Sequence, residues 1–357
     1  MICSVKRQET MEFIGIDLHK RIFTVCVLDE NEKVIDEMID VETSEKGLDL
    51  FMSRHPPDDC LIVFENLTRA HFAYHYLYKN GYAVNVAHTG HGALGEIVNS
   101  NFKTDRIDAY KLALLCKDMW SGRRFIRRTH ISSDENMRMK AVVRVCNACS
   151  SIRDEMYLRI GEYMNLHNIP PHPRFKDIMG MKYRQYLLDM HDPALTIMVN
   201  TMSNAMAQIK EANDTIREFA RESEDAKLLM SIKGISALTA VTIVTDIDGI
   251  YRFETPESLV AFFGLAVPHK ESAHKKTKIG VITKEGDPLI RKYLANAVVN
   301  HSVWCPSSDL ARFYKKKSES MPHWKSVTAA MRKLTCIIWA MLTKREYYNP
   351  QAMNLLN

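Results

Sequence analysis

The order of strand-like and helix-like segments in the first 120 residues is the feature that most restricts how this chain can fold. From residue 13, three short runs rich in β-branched and apolar residues predict consecutive strands: FIGIDL, IFTVCVLD and KVIDEMIDV. Alternating segments then predict a helix, a strand, a helix, a strand and a third helix: TSEKGLDLFMSR, CLIVFEN, AHFAYHYLYKNG, YAVNVAH and residues 102–117. This order predicts a mixed α/β sheet covered by helices.

The rest of the chain has a different character. Residues 134–230 contain two long, charged, helix-favouring segments separated by the Pro-rich stretch HNIPPHPRF. Such a pair predicts an antiparallel coiled coil, and the last third of the chain is again mostly helical by pattern. Because 357 residues are too many for one ordinary core, we expect three regions: an α/β domain over 11–125, a helical coiled-coil region over 126–226 and a mostly α-helical domain over 227–346.

Composition and charge narrow the class of protein. A hydrophobic content of 46% with 25% charged residues is typical of a soluble globular protein. No long apolar run is present and the first residues lack the pattern of a signal peptide, so we expect a cytoplasmic protein with no membrane partner. Acidic residues outnumber Lys and Arg over 1–110, whereas the reverse holds over 265–333. This asymmetry suggests cation binding in the first segment and polyanion binding in the second, with ordinary surface charge as the alternative.

The cysteines do not predict a metal site. Among the eight cysteines, only Cys146 and Cys149 form a C-x-x-C pair. No second cysteine pair and no histidine pair follows at zinc-binding spacing. We therefore expect these two cysteines to be small apolar residues on a helix.

Four carboxylates stand at the ends of predicted elements. Asp17 lies in the first strand and Glu65 closes the fourth. Asp105 and Asp108 open the helix that Thr104 is expected to cap, and two acids three residues apart share a helix face and repel each other. Strand ends and the start of a covering helix converge at one edge of an α/β sheet, so the four carboxylates are expected to meet there. Oxygen ligands of this kind bind Mg²⁺, and two such ions together support phosphoryl transfer, so these four residues are the predicted catalytic and metal-binding set.

The order of these acids along the chain is that of the ribonuclease-H-like nucleases. Sugar kinases and actin-like ATPases share the fold and also begin with an Asp in the first strand. Their phosphate loops depend on glycine, however, whereas here Asp17 is followed by Leu18, His19 and Lys20. No second phosphate loop is recognisable in the sequence, which disfavours a kinase.

Six motifs in a fixed order carry a resemblance to a known family: GIDLHK, FENLTRAH, KTDRIDAYKLA, GISALTA, FFGLAVP and TKEGDPLIRKYL. Together they resemble the DEDD-type insertion-sequence transposases, a family that includes the Piv-type DNA invertases. The resemblance covers nearly the whole chain. It implies that the N-terminal domain is similar to the Holliday-junction resolvase RuvC, with the four carboxylates as its catalytic tetrad.

The resemblance also implies a serine nucleophile in the C-terminal domain that forms a covalent bond to DNA. Ser272 falls where the family has the serine of a Ser-Gly pair, although Ala273 replaces the glycine. Thr283 likewise replaces the serine of the family's SKxG motif. These departures leave open whether Ser272 or a neighbouring hydroxyl attacks DNA. Basic side chains around Ser272 could offset the negative charge that develops when its hydroxyl attacks a phosphate. The alternative is a solvated basic loop that happens to contain a serine.

Several basic residues are candidate contacts to nucleic-acid phosphates. Residues 229–244 predict two helices joined by a Gly-containing turn, which resembles a helix-hairpin-helix, although a plain helical corner fits equally well. Residues 312–333 mix Lys and Arg with aromatic residues, which suits either backbone binding with base stacking or a solvated helix end. The candidate nucleic-acid-binding residues are Lys233, Lys270, His274, Lys275, Lys276, Lys278, Lys284 and Arg291.

From the resemblance we expect a Mg²⁺-dependent transposase or site-specific recombinase that acts on donor and target DNA in the prokaryotic cytoplasm, in association with the nucleoid. The family further implies a bridge RNA that pairs with both DNAs, and a homo-oligomer, either a dimer or a tetramer. Two alternatives stay open: a RuvC-like endonuclease that resolves junctions with water, and a non-catalytic nucleic-acid-binding protein. A requirement for Ser272 separates the transposase from the first, and metal binding at Asp17 separates both enzymes from the second.

Overall fold

The computed structural model describes residues 11–88, 104–124, 128–267 and 282–351. It divides the chain into two compact units, Met1–Ile131 and Ser132–Asn357. The first unit contains the sheet, and the second is helical. The division of the second unit into two regions, which the sequence suggested, stays a prediction.

A five-stranded mixed sheet forms the centre of the first unit. Its strands are β1 (Glu12–Leu18), β2 (Ile22–Leu28), β3 (Val34–Glu42), β4 (Cys60–Glu65) and β5 (Ala83–Ala87), in the spatial order β3-β2-β1-β4-β5. The first three strands pair antiparallel, whereas β1–β4 and β4–β5 are parallel. The helices described in this unit are α1 (Glu45–Arg54), α2 (Ala70–Lys79) and α3 (Asp105–Trp120). The predicted α/β class and the order of these elements are confirmed.

Strand β1 is buried on both faces, which explains its nearly continuous apolar sequence. Successive side chains of a strand point to opposite faces. Ile14 and Ile16 belong to a core cluster on the face covered by α1 and α2. Phe13 belongs to the cluster on the opposite face, which packs against α3. The odd-numbered positions of β1, including Asp17, therefore face α3.

Helix α3 lies directly on the backbone of β1 at Gly15. A Cβ atom added at Gly15 would lie 2.1 Å from the carbonyl oxygen of Ala109 and 2.2 Å from the amide nitrogen of Ala113. Both distances are far below van der Waals contact, and both partners are backbone atoms that cannot rotate away. Only glycine allows the helix to approach the strand this closely.

Replacement of Gly15 by Ala is expected to push α3 off the sheet and destabilise the first unit by about 3 kcal/mol, the upper end of the overpacking range. Thermal unfolding followed by circular dichroism measures the effect. Gly161→Ala is the matched control, because a Cβ there meets nothing within 4 Å inside a long helix, where Ala is favoured. Equal stability of the Gly15→Ala and Gly161→Ala proteins would contradict the close contact.

Two ion pairs connect α3 to the β2–β3 hairpin. Near the start of α3, Arg106 Nε donates to Glu37 Oε1 at 2.8 Å, and the Nη2 atom of Arg106 also contacts Glu37. Toward its end, the buried Lys117 donates from Nζ to Glu32 Oε1 at 2.8 Å. The hydrogen bond and charge of Lys117 lower the pKa of Glu32. The two contacts restrict rotation of the helix about its own axis.

A buried histidine connects strands β1 and β3 with the end of α1. His55 Nδ1 is 2.7 Å from Glu12 Oε2, and its Nε2 is 2.9 Å from Asp36 Oδ2. The hydroxyl of Tyr82 donates to the His55 carbonyl. Burial by itself lowers the pKa of His55, but hydrogen bonds to the two carboxylates and their charges outweigh it, so the pKa is raised.

Because the pKa of His55 is higher in the folded than in the unfolded chain, its stabilising contribution is complete below about pH 6.5, the unfolded value. It is lost as pH rises through the higher folded value. Urea unfolding of the first unit between pH 5.5 and 8.5 is therefore expected to show declining stability, and His55→Gln is expected to flatten that decline. The exposed His130→Gln is the control and should retain it. An unchanged pH profile in His55→Gln would contradict the assignment.

The described part of the second unit is built mainly of helices. The helices are α4 (Asp134–Leu166), α5 (Met181–Leu188), α6 (Pro193–Glu222), α7 (Glu224–Met230), α8 (Ala237–Ile247), α9 (Pro256–Phe262), α10 (Pro288–Trp304), α11 (Asp309–Ser320) and α12 (His323–Lys344). None of these helices is both long and apolar enough to span a bilayer.

The two long helices α4 and α6 pack antiparallel. The end of α4 shares a cluster with the start of α6, where Ile160 and Val199 are both buried. Near its start, α4 packs against the end of α6 through Val143 and Ile216. The predicted pair of long helices is confirmed. The second segment is nevertheless interrupted at Ser223, whose hydroxyl accepts from the Ala226 amide and caps α7, as expected of a serine at this position.

The C-x-x-C pair lies on α4. Both Cys146 and Cys149 are free thiols. Cys146 is buried among apolar side chains, with its Sγ 3.9 Å from Asn213 Oδ1 on α6. This position agrees with the expected role of Cys146 as a small core residue.

Candidate metal centre

The candidate centre is built around Asp17, the penultimate residue of β1. The residue is only 8% exposed. Its Oδ2 lies 3.2 Å from His19 Nε2, and the same ring nitrogen lies 3.6 Å from Asp105 Oδ1. The imidazole therefore stands between two carboxylates, one from the strand and one from the start of α3.

The start of α3 supplies two of the four predicted carboxylates. Thr104 caps the helix as expected, because its side chain accepts a hydrogen bond from the Ile107 amide at 3.3 Å. Asp105 and Asp108 occupy the first turn, where the partial positive charge of the helix N-terminus offsets part of their repulsion. The contact of α3 with Gly15, one turn further along, brings this first turn to the end of β1.

The carboxylates influence one another electrostatically. The pKa of Asp17 is raised, mainly because burial disfavours the charged form. The nearby His19 opposes this shift, while the negative charges of Asp105 and Asp108 increase it further. The structure therefore brings Asp17, Asp105 and Asp108 into one electrostatic environment.

Glu65 ends the neighbouring parallel strand. In the β1–β4 ladder, Ile16 pairs with Phe64, so Asp17 and Glu65 occupy the next position of the two strands. Both residues are at odd-numbered positions and belong to the sheet face that α3 covers. Adjacent strands lie about 4.8 Å apart. Glu65 is thus placed beside Asp17 at the same edge of the sheet, as the metal prediction requires, and its role as a ligand stays a prediction.

A buried threonine lies beside Asp17 in the sheet. Thr24 pairs with Asp17 across the β1–β2 hairpin and is 1% exposed. Its Oγ1 has no hydrogen-bond partner among the residues that the structure describes. Such an atom is unusual in a protein interior and is readily satisfied by an ordered water or an ion-bound water. Carboxylate oxygens, one imidazole nitrogen and a hydroxyl in need of a partner together fit a divalent cation.

Sequence reasoning missed His19 and Thr24. His19 stands two residues after Asp17, which is a weak signal because the chain leaves the strand at Leu18. Thr24 becomes a neighbour of Asp17 only through the register of the hairpin. Neither relation is visible without the pairing of the strands.

The segment containing Ser272 has paired ends. The amide of Thr283 donates to the Ala266 carbonyl at 2.9 Å, and the amide of Lys284 donates to the Gly264 carbonyl at 3.0 Å. Residues 268–281 lie between these pairs and outside the described residues. The predicted site residues in that segment are Ser272, Lys270, His274, Lys275, Lys276 and Lys278.

Arg291 holds the base of this segment. Its Nη1 donates to the Gly286 carbonyl at 2.7 Å and to the Phe263 carbonyl at 3.2 Å. Gly264 fits against this corner with φ +67°, and an added Cβ would lie 2.7 Å from the Gly286 nitrogen. Part of the Arg291 guanidinium is therefore used to join two stretches of backbone. The predicted contact of Arg291 with nucleic acid stays a prediction.

Lys233 lies in the turn between α7 and α8, where the sequence predicted two helices and a glycine. Its side chain is exposed, and the next residue, Gly234, has φ +100°. The Lys233 carbonyl accepts a hydrogen bond from the buried His301 Nδ1 at 2.7 Å, and burial lowers the pKa of that histidine. The two predicted helices and the glycine-containing turn between them are present, and phosphate binding by this segment stays a prediction.

Comparison with known proteins identifies the family of this chain. A transposase model for the DEDD domain of the IS110 group matches residues 14–159. A second model, described as the transposase IS116/IS110/IS902 family, matches residues 226–315. Together the two models match more than half of the chain, in the order that the sequence motifs predicted. The chain belongs to the IS110 family of transposases.

Three curated relatives of this IS110-family chain align with it over most of its length. The transposase for insertion sequence element IS1111A of Coxiella burnetii is 23% identical, with 96% of this chain and 93% of the relative covered. A probable family 20 transposase of Pseudomonas aeruginosa is also 23% identical, over 94% of this chain and 98% of the relative. The transposase for insertion sequence element IS1328 of Yersinia enterocolitica is 24% identical, over 93% and 96%.

Replacement of Arg291 by Met keeps most of the aliphatic stem and removes both bonds to backbone carbonyls. Leaving these carbonyls unsatisfied is expected to cost the second unit about 1–3 kcal/mol. It should also speed hydrogen exchange at the amides of Thr283 and Lys284. Chemical denaturation measures the loss of stability, and exchange mass spectrometry measures the exchange. The adjacent Lys292→Met is the control, because Lys292 is bonded to the side chain of Asn147 at an exposed position. Unchanged exchange in Arg291→Met would contradict the anchoring role.

Proposed function

We propose that this chain is the DNA transposase of an insertion sequence and acts as a metal-dependent recombinase. The convergence of Asp17 with Asp105 and Asp108, beside Glu65 at one edge of the sheet, carries the proposal. The names of the full-length relatives, which are transposases, support it. The four carboxylates would hold divalent cations, Mg²⁺ in the first instance and two ions in total.

Bound cations supply charge neutralisation at the reacting phosphate and make an attacking hydroxyl more acidic. The residues of this chain do the rest. The close packing of α3 on β1 keeps the carboxylates together despite their mutual repulsion. The burial of Asp17 limits access of water to its carboxylate, which strengthens its interaction with a cation.

The proposed nucleophile is Ser272. Its Oγ loses a proton and forms a bond to a DNA phosphorus, while the bond from that phosphorus to the leaving sugar oxygen breaks and the sugar oxygen gains a proton. One phosphodiester is exchanged for another, so the strand can be rejoined without an external nucleotide. The backbone pairs at the two ends of 268–281 support the proposal, because they give the basic segment a fixed attachment. Lysines and a histidine of this segment, with Lys284, would hold the phosphates around the scissile bond.

The proposal extends to the partners of the reaction. Donor and target DNA are the substrates, and a bridge RNA encoded with the element would select both by base pairing. The excess of Lys and Arg over 265–333 supports binding of a polyanion. Strand exchange between two DNAs requires more than one serine, so we propose a homo-oligomer, a dimer or a tetramer. The reaction would take place in the cytoplasm at the nucleoid, where the DNA is.

A covalent adduct between protein and DNA is the test of this function. Purified protein is incubated with Mg²⁺, element-end DNA labelled at one end and the RNA transcribed from the element, and the products are separated under denaturing conditions. The wild-type protein is expected to give an adduct whose tryptic peptide carries a phosphodiester at Ser272. Ser272→Ala should lose the adduct completely, while Thr277→Val, which removes a neighbouring hydroxyl of the same segment, should keep it.

The remaining outcomes distinguish the alternatives. If the wild type cleaves DNA without forming an adduct, and Ser272→Ala cleaves it equally well, the protein is a hydrolytic, RuvC-like endonuclease. Cleavage by neither protein, combined with DNA binding that is insensitive to Asp17→Asn, would identify a non-catalytic binder. An adduct retained in Ser272→Ala and lost in Thr277→Val would move the nucleophile to the neighbouring hydroxyl.

A further inference from the structure

His19 lies close to two of the candidate carboxylates. The ligand atoms of Asp17, His19 and Asp105 all lie within 4.8 Å of one another. Metal–ligand bonds of about 2.0–2.6 Å allow two atoms on one ion to be at most about 5 Å apart. The three ligand atoms are therefore close enough to bind the same cation.

The backbone fixes the position from which this imidazole projects. The His19 amide donates to the Ile22 carbonyl at 3.0 Å and closes the turn between β1 and β2. The Thr43 hydroxyl donates to the His19 carbonyl, also at 3.0 Å. Because both bonds involve main-chain atoms of His19, they persist when the side chain is replaced. The side chain itself is about half exposed.

Thr24 gives an independent indication of a bound group at the same place. Thr24 pairs with Asp17 across the hairpin, and its buried hydroxyl has no hydrogen-bond partner within the described ranges of the chain. A buried hydroxyl without a hydrogen bond costs about 1–3 kcal/mol, so an oxygen bound next to it would be stabilising. A water on the cation, or an oxygen of the DNA phosphate, would supply it.

We propose that His19 is a nitrogen ligand of the cation held by Asp17 and Asp105, and that this mixed site prefers Mn²⁺ over Mg²⁺. The inference rests on the proposed function, since it concerns the same metal centre. Mg²⁺ is a hard cation that strongly prefers oxygen ligands, whereas Mn²⁺, a first-row transition ion, binds carboxylate oxygens and also accepts an imidazole nitrogen. The hydroxyl of Thr24 orients a water or phosphate oxygen on that cation, as outer partners of metal sites commonly do.

Metal binding by the full-length, metal-free protein tests the inference without DNA. MnCl₂ or MgCl₂ is titrated into the protein by isothermal calorimetry, and Mn²⁺ coordination is examined by pulsed electron paramagnetic resonance. The wild-type protein is expected to bind Mn²⁺ at least about tenfold more tightly than Mg²⁺ and to show nitrogen modulation from one imidazole. His19→Ala should weaken Mn²⁺ binding by about 10–100-fold, remove the modulation and change Mg²⁺ affinity much less. His130→Ala, an exposed histidine of the same unit, should behave as wild type.

Thr24→Val tests the role of the Thr24 hydroxyl through two changes in opposite directions, a gain in stability without metal and a loss of metal affinity. Without metal, the variant should melt at a higher temperature than the wild type, because the unsatisfied hydroxyl is gone. Its affinity for either ion should fall by about tenfold, as for other outer partners of a metal site. Unchanged metal affinity in Thr24→Val would overturn the role of its hydroxyl.

Failure of the inference and failure of the proposed function give different results. If the wild type binds Mn²⁺ and Asp17→Asn abolishes binding, while His19→Ala retains both affinity and nitrogen modulation, the metal centre stands and the ligand role of His19 is wrong. If neither ion binds the wild type, or if Asp17→Asn binds as tightly as the wild type, the metal-dependent function fails, and the inference fails with it.

Discussion

The contact between the backbone of α3 and Gly15 is the constraint on which the N-terminal unit depends. It fixes the height of the helix above the sheet, because no side chain separates Ala109 from the strand. The ion pairs from Arg106 and Lys117 then restrict rotation of the helix. Together these contacts determine where the first turn of α3 lies, and therefore how close its two acids come to Asp17.

That closeness is unfavourable by itself. Burial and neighbouring negative charges both raise the pKa of Asp17, so the ionised centre reduces the stability of the fold that contains it. Apolar packing on both faces of β1 offsets this cost, since clusters built on Ile14 and on Phe13 cover the same strand from opposite sides. A local conflict maintained by the surrounding core is typical of functional sites.

The sequence predicted most of the N-terminal fold because strand periodicity and helix caps are local signals, as Thr104 illustrates. It also selected the carboxylates, since their positions at element ends can be counted along the chain. Strand register and helix-to-strand distance cannot be counted in this way, and this is why Thr24 and Gly15 were missed. Arg291 shows the same limit: its basic character suggested DNA binding, whereas its bonds to carbonyls depend on how two distant segments meet.

The backbone pairs that join 264–266 to 283–284 make the attachment of the segment between them independent of its side chains. Main-chain hydrogen bonds at Gly264, Ala266, Thr283 and Lys284 do not depend on which side chains occupy 268–281. Substitutions in that stretch can therefore accumulate without weakening the pairs that border it. The side chains proposed to act on DNA, including that of Ser272, are therefore not needed to form the pairs that border their segment.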